Sequence, residues 1–544
     1  MNGFTKASYS PAVTDREREN LQIAYRAACE GMVLLKNDGV LPFKHKRVAL
    51  YGPGVSMTIK GGTGSGEVNE RHSVTILEGL EDRGFEITTM DWIRDFEERY
   101  AKARAAYQEE KKKRVSILKL NSLMNMLLDD FRAPAGLEIT EDRVAASGTD
   151  SCIYVVSRQA GEGGDRKAEK GDFFLTDDEI SMIRSCAEKY ENFLLVINCG
   201  SSIDMSFVEE IPGINAIIYL CQLGTEGGHA FADVISGAVT PSGKLSDTWA
   251  RQYSDIPFAN EYSYLNGNLE EEYYKEGIYV GYRYFDSFDV VPAYSFGFGM
   301  SYTTFSIRSA GITANGSHIN VKSTVTNTGE MYSGKEVVQL YVSAPNGQLH
   351  KEYQSLAAFA KTELLAPGFS QTMDLNFDLK SLSSYREADA SYILEKGDYI
   401  LRLGNSSRNT MVIGLLGLKE DVIVSKHNHV CPVVNRFEEL CSERYPFEVI
   451  PDNLPHIELD LSDYSTVVYS YEIPEICQDK RVQNFVNTLT VKEMAEIVVG
   501  VGAFGAENHF DLPGSVGNTT SAFWDRGLAN VALCDGPAGL RIQK

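Results

Sequence analysis

The chain has 544 residues, with 75 acidic side chains against 52 basic ones and a net charge of −23. That balance excludes nucleic acid and anionic membrane as expected partners, because both are recognised by a basic face. Hydrophobic residues make up 43% of the chain, enough for several cores, and the length predicts three or four domains at the usual ~150 residues each. No apolar run approaches the ~18 residues that span a bilayer. The N-terminus, MNGFTKASYSPAVTDRERENLQ, lacks the apolar core of a secretory signal. Nine cysteines are scattered without a CxxC, and Cys152, Cys199 and Cys221 sit in or beside apolar strand-like runs. They predict buried free thiols in a reducing compartment, hence a cytoplasmic location.

The first domain is expected over residues 14–300. Residues 15–32 have helical spacing, with Leu21, Ala24, Ala28 and Met32 on one face. A turn at 36–39 leads into a strand at Arg47–Tyr51. After it come Gly52-Pro53-Gly54 and then Lys60-Gly61-Gly62-Thr63-Gly64-Ser65-Gly66-Glu67. A phosphate loop would end in Gly-Lys-Ser/Thr and a dinucleotide loop would read GxGxxG; neither pattern is present. The glycines permit close backbone approach to a ligand, or simply a tight turn. Residues 94–130 are charged and helical in pattern, an insertion expected to pack on the outside.

The stretch Cys152–Glu179 reads CIYVVSRQAGEGGDRKAEKGDFFLTDDE. It opens as a buried strand and closes on a helix start, with Thr176 as N-cap and Glu179 three residues on. Between them Glu162 lies among Gly161, Gly163 and Gly164. Spacing alone leaves two readings, a solvated turn and a working carboxylate past a strand's carboxyl end. Strands then alternate with a helix: Phe193–Asn198, Ile214–Leu220 and the helix Gly227–Ile235. Alternation predicts a mostly parallel sheet covered on both faces, with both glycine-rich loops leaving one carboxyl edge so that Ser65 and Glu162 can converge.

Residues 301–418 switch to period-two alternation, with Ile319, Val321 and Val325 between polar residues and further strands at 337–342, 372–377 and 399–403. Short, evenly spaced strands predict a β-sandwich of immunoglobulin type with no chemistry of its own. Residues 419–475, polar and carrying Pro432, Pro446, Pro451 and Pro455 among their prolines, are expected to be an irregular linker. His427, His429 and Cys431 lie close together, but without a second ligand pair chance is the better account. From 476 on, Val482, Phe485, Val486 and Leu489 share a helical face, Thr490 and Glu493 form a capping box, and the chain ends on Leu533-Cys534-Asp535-Gly536-Pro537-Ala538-Gly539-Leu540-Arg541.

These motifs together resemble glycoside hydrolase family 3, the β-glucosidase family. SRQAGEGGDR with KGDFFLTDDE resembles its acid/base segment, GGTGSG a border of its sugar pocket, and EGG…PSGKL a structural segment near the end of its α/β domain. FGFGMSYTTF resembles its entry into a fibronectin-type-III-like domain, and DGPAGLR the end of the first strand of its (β/α)8 barrel. The resemblance implies a multidomain fold: an α/β sandwich with a mostly parallel sheet, a fibronectin-type-III-like β-sandwich, and over 476–544 the start of a barrel. It implies that Glu162 is the acid/base and that Ser65, Asp535 and Arg541 bind sugar hydroxyls, which need carboxylate acceptors and guanidinium donors held rigidly. No cofactor and no metal are implied. The implied activity is retaining hydrolysis releasing terminal non-reducing β-D-glucose from a β-glucoside or short β-linked oligosaccharide. A β-xylosidase of the same family and a non-catalytic sugar-binding or scaffolding fragment stay open.

Against the family's common order, the α/β domain leads and the barrel comes last, which resembles the permuted bacterial arrangement. A barrel needs roughly 200 residues, so the chain is expected to be truncated within it, a fragment, or one part of a split protein with a partner chain supplying the rest. The family's nucleophile is the Asp of a Ser-Asp-Trp segment. Ser246-Asp247-Thr248 and Ser462-Asp463-Tyr464 stand nearest but in the wrong context, so no nucleophile is assigned. Aglycone and linkage preference, glucose against xylose, and oligomeric state are not encoded in these motifs.

Overall fold

The structure is a computed structural model and describes residues 12–63, 70–114, 131–160, 166–262, 265, 267–268, 270–442, 450–470, 477–502, 515–520 and 522–534. The first unit opens with helix α1 (Asp15–Gly31), capped by Thr14 and Glu17, and strand β1 (Val33–Asn37). There follow β2 (Arg47–Tyr51), α2 (Ile76–Asp82), β3 (Glu86–Ile87), α3 (Met90–Arg114), α4 (Glu141–Ser147), β4 (Ser151–Arg158), α5 (Asp177–Lys189), β5 (Asn192–Cys199), α6 (Phe207–Glu210), β6 (Ala216–Tyr219), α7 (Gly227–Ile235) and the short helix α8 (Tyr282–Ser287). The six strands form one sheet in the order β1-β6-β5-β4-β2-β3. All neighbours are parallel except β1, which runs antiparallel to β6.

Cys152 to Val156 and Phe193 to Ile197 are consecutive and all buried. Successive strand residues point to opposite faces, so both faces are covered. Helices α1 and α2 both pack on α7, while α5 packs on β4 and β5. The α2–α7 contact is made backbone to backbone: a Cβ at Gly79 would lie 2.1 Å from the Gly228 carbonyl carbon, and one at Gly228 would lie 2.0 Å from the Thr75 oxygen. In α3, Trp92, Ile93 and Phe96 are buried, so the helix is rooted in the core before its exposed remainder begins.

Strand order carries a functional consequence. The chain runs from β2 outward to β3, then returns to the other side of β2 as β4 and continues through β5 to β6. The reversal falls between β2 and β4. In open α/β sheets the crevice outside such a switch point is where ligands bind.

The second unit is a β-sandwich. One sheet has the order β10-β9-β14-β15-β17, from β9 (Val337–Ser343), β10 (Ser355–Lys361), β14 (Gly397–Ser406), β15 (Asn409–Leu418) and β17 (His456–Leu459). The facing sheet is β11-β8-β7, from β7 (Phe305–Asn315), β8 (His318–Asn327) and β11 (Ser370–Asp378). A smaller sheet joins β12 (Ser384–Arg386), β13 (Ser391–Leu394), β16 (Val422–Lys426) and β18 (Val467–Val468). The expected core positions Ile319, Val321 and Val325 are buried.

The stretch 419–475 is not the irregular linker expected of it. It supplies β16, β17 and β18, and β17 adds to β15 in parallel with Leu415 opposite His456. Four residues after Pro455 suffice because β15 offers an unpaired edge whose N–H and C=O groups need partners.

The two units are joined by buried polar contacts. Lys244 of the PSGKL segment reaches Glu336 at 2.7 Å and the Gly299 carbonyl at 2.7 Å. The Gln339 amide donates to the Gly297 carbonyl at 3.1 Å. Beyond the sandwich, α9 (Lys480–Val486), α10 (Val491–Val499) and the strands β19 (Val501–Gly502), β20 (Ser515–Asn518) and β21 (Ala532–Cys534) form a small unit whose strands pair antiparallel. No described residue of α9 or α10 is buried.

Candidate active site

The site is built at the carboxyl edge of the parallel sheet. Strand β2 leaves through Gly52, whose φ is +99° and whose Cβ would meet the Val155 oxygen at 2.4 Å. Only glycine serves both demands, a left-handed backbone and contact with β4. The following segment, 52–63, is held down from β5. Buried Asn198 accepts from the Ile59 N–H at 2.7 Å and donates to the Ile59 carbonyl at 3.0 Å and to the Cys221 carbonyl at 2.8 Å. Lys60 pairs with Glu70 across the base of the glycine-rich loop.

The loop after β4 is clamped at both described ends. Upstream, the Ala160 carbonyl accepts from the Thr63 N–H at 3.3 Å, from Gln159 Nε2 at 2.8 Å and from Gln222 Nε2 at 3.1 Å. Gln159 Nε2 also donates to the Gly61 carbonyl at 2.9 Å. Downstream, Arg166 pairs with Asp172 and with the Ser201 hydroxyl, and the Lys167 N–H donates to Asp172 at 2.9 Å. Below it, Arg158 grips Glu179 with two bonds of 2.7 and 2.6 Å, a bidentate pair that stiffens the strand exit. The same Glu179 caps α5 together with Thr176.

The flanks of the two glycine-rich loops therefore touch at the switch point. Ser65, Glu162, Asp535 and Arg541 all lie outside the described residues, as do the loop centres at 64–69 and 161–165. The described residues that border these stretches in the chain are Thr63, Glu70, Ala160, Arg166 and, at the end of β21, Cys534.

Two residues of this edge have no warning in sequence periodicity. Asn198 ends an apolar strand run, FLLVIN, and Gln222 follows another, IIYLC. A polar residue closing a buried strand is the signal that could have found them. The described residues contain no cluster of His, Cys, Asp and Glu fit to hold a metal ion. His427 instead stacks on Tyr469 at 4.7 Å and bonds Ser425 at 2.9 Å.

An open α/β sheet with glycine-rich loops at its switch point, braced by a β-sandwich, defines a multidomain α/β protein. Residues 32–282 match the glycosyl hydrolase family 3 C-terminal domain, and residues 336–407 match the fibronectin type III-like domain. β-Glucosidase A of Butyrivibrio fibrisolvens is 31% identical, over 96% of this chain and 69% of that protein. The solved β-glucosidase of Paenibacillus barengoltzii is 30% identical with a TM-score of 0.72, over 91% of this chain and 55% of that one. β-Glucosidase 3B of Thermotoga neapolitana, solved in complex with α-D-glucose, is 34% identical with a TM-score of 0.63, over 75% of this chain and 55% of that one. The chain thus spans little more than half the length of these solved relatives. It belongs to glycoside hydrolase family 3.

Proposed function

We propose that the chain carries the α/β and β-sandwich parts of a retaining β-glucosidase that releases terminal non-reducing β-D-glucose. Glu162 is the acid/base, and Ser65, Asp535 and Arg541 hold sugar hydroxyls. The observation that carries this reading is the junction at the switch point, where Thr63 and Gln159 tie the two glycine-rich loops together at 3.3 and 2.9 Å. A carboxylate delivered there stands where an open α/β sheet presents its ligand. The solved relative with bound glucose supports the choice of sugar.

In this mechanism Glu162 starts protonated. It gives its proton to the glycosidic oxygen as the bond to the anomeric carbon breaks, then takes a proton from the water that releases the sugar. The nucleophile is assigned to no residue of these 544 and belongs in this scheme to the barrel. Packing in a barrel would also cover α10, where Val491, Val498 and Val499 are 80%, 84% and 84% exposed. The permuted domain order is part of the same proposal, as is the barrel itself, whose first strand would be β21, ending next to Asp535. No cofactor enters the scheme.

The test is Glu162→Gln in the complete enzyme. Activity on poor leaving groups is expected to fall by about 100-fold or more, the usual share of general acid catalysis. An activated aryl glucoside, whose departure needs no proton, should be affected far less in its glycosylation step. Equal activity of variant and parent on both substrates defeats the role. A second reading, a non-catalytic sugar-binding fragment, is favoured by the absence of a Ser-Asp-Trp segment. Assay of the 544-residue chain on an aryl β-glucoside, with and without a barrel-encoding partner, separates the two.

A further inference from the structure

We infer that Gln222 is a positioning residue for the acid/base loop, acting through the Ala160 carbonyl; this rests on the reading of Glu162 given above. Ala160 is the last described residue before the loop that carries Glu162. Its carbonyl receives three N–H groups on two lone pairs, so the donors share it, and Gln222 is the one that comes from outside the two glycine-rich loops. Gln159 is exposed and lies beside Ala160 in the chain, so it moves with the loop. Gln222 differs: it sits in the turn after β6, is half-buried, and belongs to the sheet's frame.

Three features fix Gln222 in place. Gly200 seats it, since a Cβ there would lie 2.9 Å from Gln222 Nε2 and 2.4 Å from the Ala160 Cβ. Cys221, just before it, has φ +55°, a left-handed backbone that a non-glycine residue adopts only when its surroundings hold it. Asn198 supplies that hold by donating to the Cys221 carbonyl at 2.8 Å. Just beyond, the Gly224 N–H donates to the Lys60 carbonyl at 2.8 Å. The turn after β6 thus braces the loop after β2 through Gly224 and the loop after β4 through Gln222. Proton delivery to a leaving oxygen demands placement within a few tenths of an ångström, and Gln222 ties the stem of the delivering loop to rigid strands.

Gln222→Met keeps length and volume but has no donor. In the complete enzyme, kcat/KM on a poor leaving group is expected to fall about tenfold, a part of the full acid contribution. Activity on an activated aryl glucoside should change much less, and the alkaline limb of the pH profile should shift. Gln222→Glu, which turns an oxygen toward the carbonyl, should be no better than methionine. A uniform loss on both substrates, or none, overturns the proposal provided Glu162→Gln shows the leaving-group selectivity. If Glu162→Gln lacks it, the acid/base reading fails instead. A readout without turnover decides the matter in an inactive chain: hydrogen exchange of the peptide covering 159–167 in the full 544-residue protein. Faster exchange there in Gln222→Met, with the β-sandwich peptides unchanged, supports the tie; unchanged exchange overturns it.

Discussion

Helices α5 and α10 begin in the same way and end in opposite circumstances. Thr176 with Glu179 and Thr490 with Glu493 make the same reciprocal capping box. Helix α5 then buries Ile183 and Cys186 against the parallel sheet, whereas α10 buries nothing and exposes Val491, Val498 and Val499. The local signal that starts a helix is therefore independent of what the helix packs on. Helical stability comes mostly from tertiary contact of an apolar face, so α5 draws from the sheet a stabilisation that α10 does not draw from the described residues.

The largest expected effect falls on the packed side of this comparison. In Gly228→Ala the new methyl would sit 2.0 Å from the Thr75 oxygen, a backbone atom at the cap of α2. No side chain can move aside, so α2 and α7 must separate. A loss of about 3 kcal/mol or more is expected, at the upper end of overpacking, read as a lower melting temperature or loss of soluble protein. A variant as stable as the parent would mean that α2 and α7 are not in backbone contact.

A smaller effect sharpens the comparison directly. Thr176→Ala removes the cap of α5 and should cost about 1 kcal/mol of the α/β unit's stability. Thr490→Ala removes an equivalent cap from α10, but with no buried face the main unfolding transition should stay within about 0.5 kcal/mol of the parent. Denaturant titration of both variants tests the pair. Equal losses would show that α10 is as well anchored as α5.

What is legible in the sequence divides along the same line. The capping boxes, the β2, β4 and β5 strands and the alternation of Ile319, Val321 and Val325 are local patterns, and the structure has them. The contacts of Asn198 and Gln222 are not local: Asn198 binds a residue 139 positions earlier, and Gln222 one 62 positions earlier. Strand β17 escapes a sequence reading because its reason for existing is the edge of β15, not its own four residues. Ser65, Glu162, Asp535 and Arg541 stand out by resemblance, and their roles are part of the proposal.

The smallest expected effect is a pH dependence confined to the packed side. His229 on α7 bonds Glu226 through Nδ1 at 2.7 Å and Asp82 at the end of α2 through Nε2 at 3.0 Å. Burial pulls its pKa down and Arg83 nearby adds to that, but the hydrogen bonds to the two carboxylates prevail and hold it above the ordinary value of 6.5. A raised value means that the folded state binds the proton more tightly than the unfolded one. The contribution is therefore full below pH 6.5 and is lost as pH rises through the folded value. The site is partly open to solvent, so the amount is at most ~1 kcal/mol. Melting temperatures on either side of that window should fall more with rising pH in the parent than in His229→Gln. Identical slopes would mean that the bridge between α2 and α7 carries no charge, leaving backbone packing at Gly79 and Gly228 to hold the two helices together.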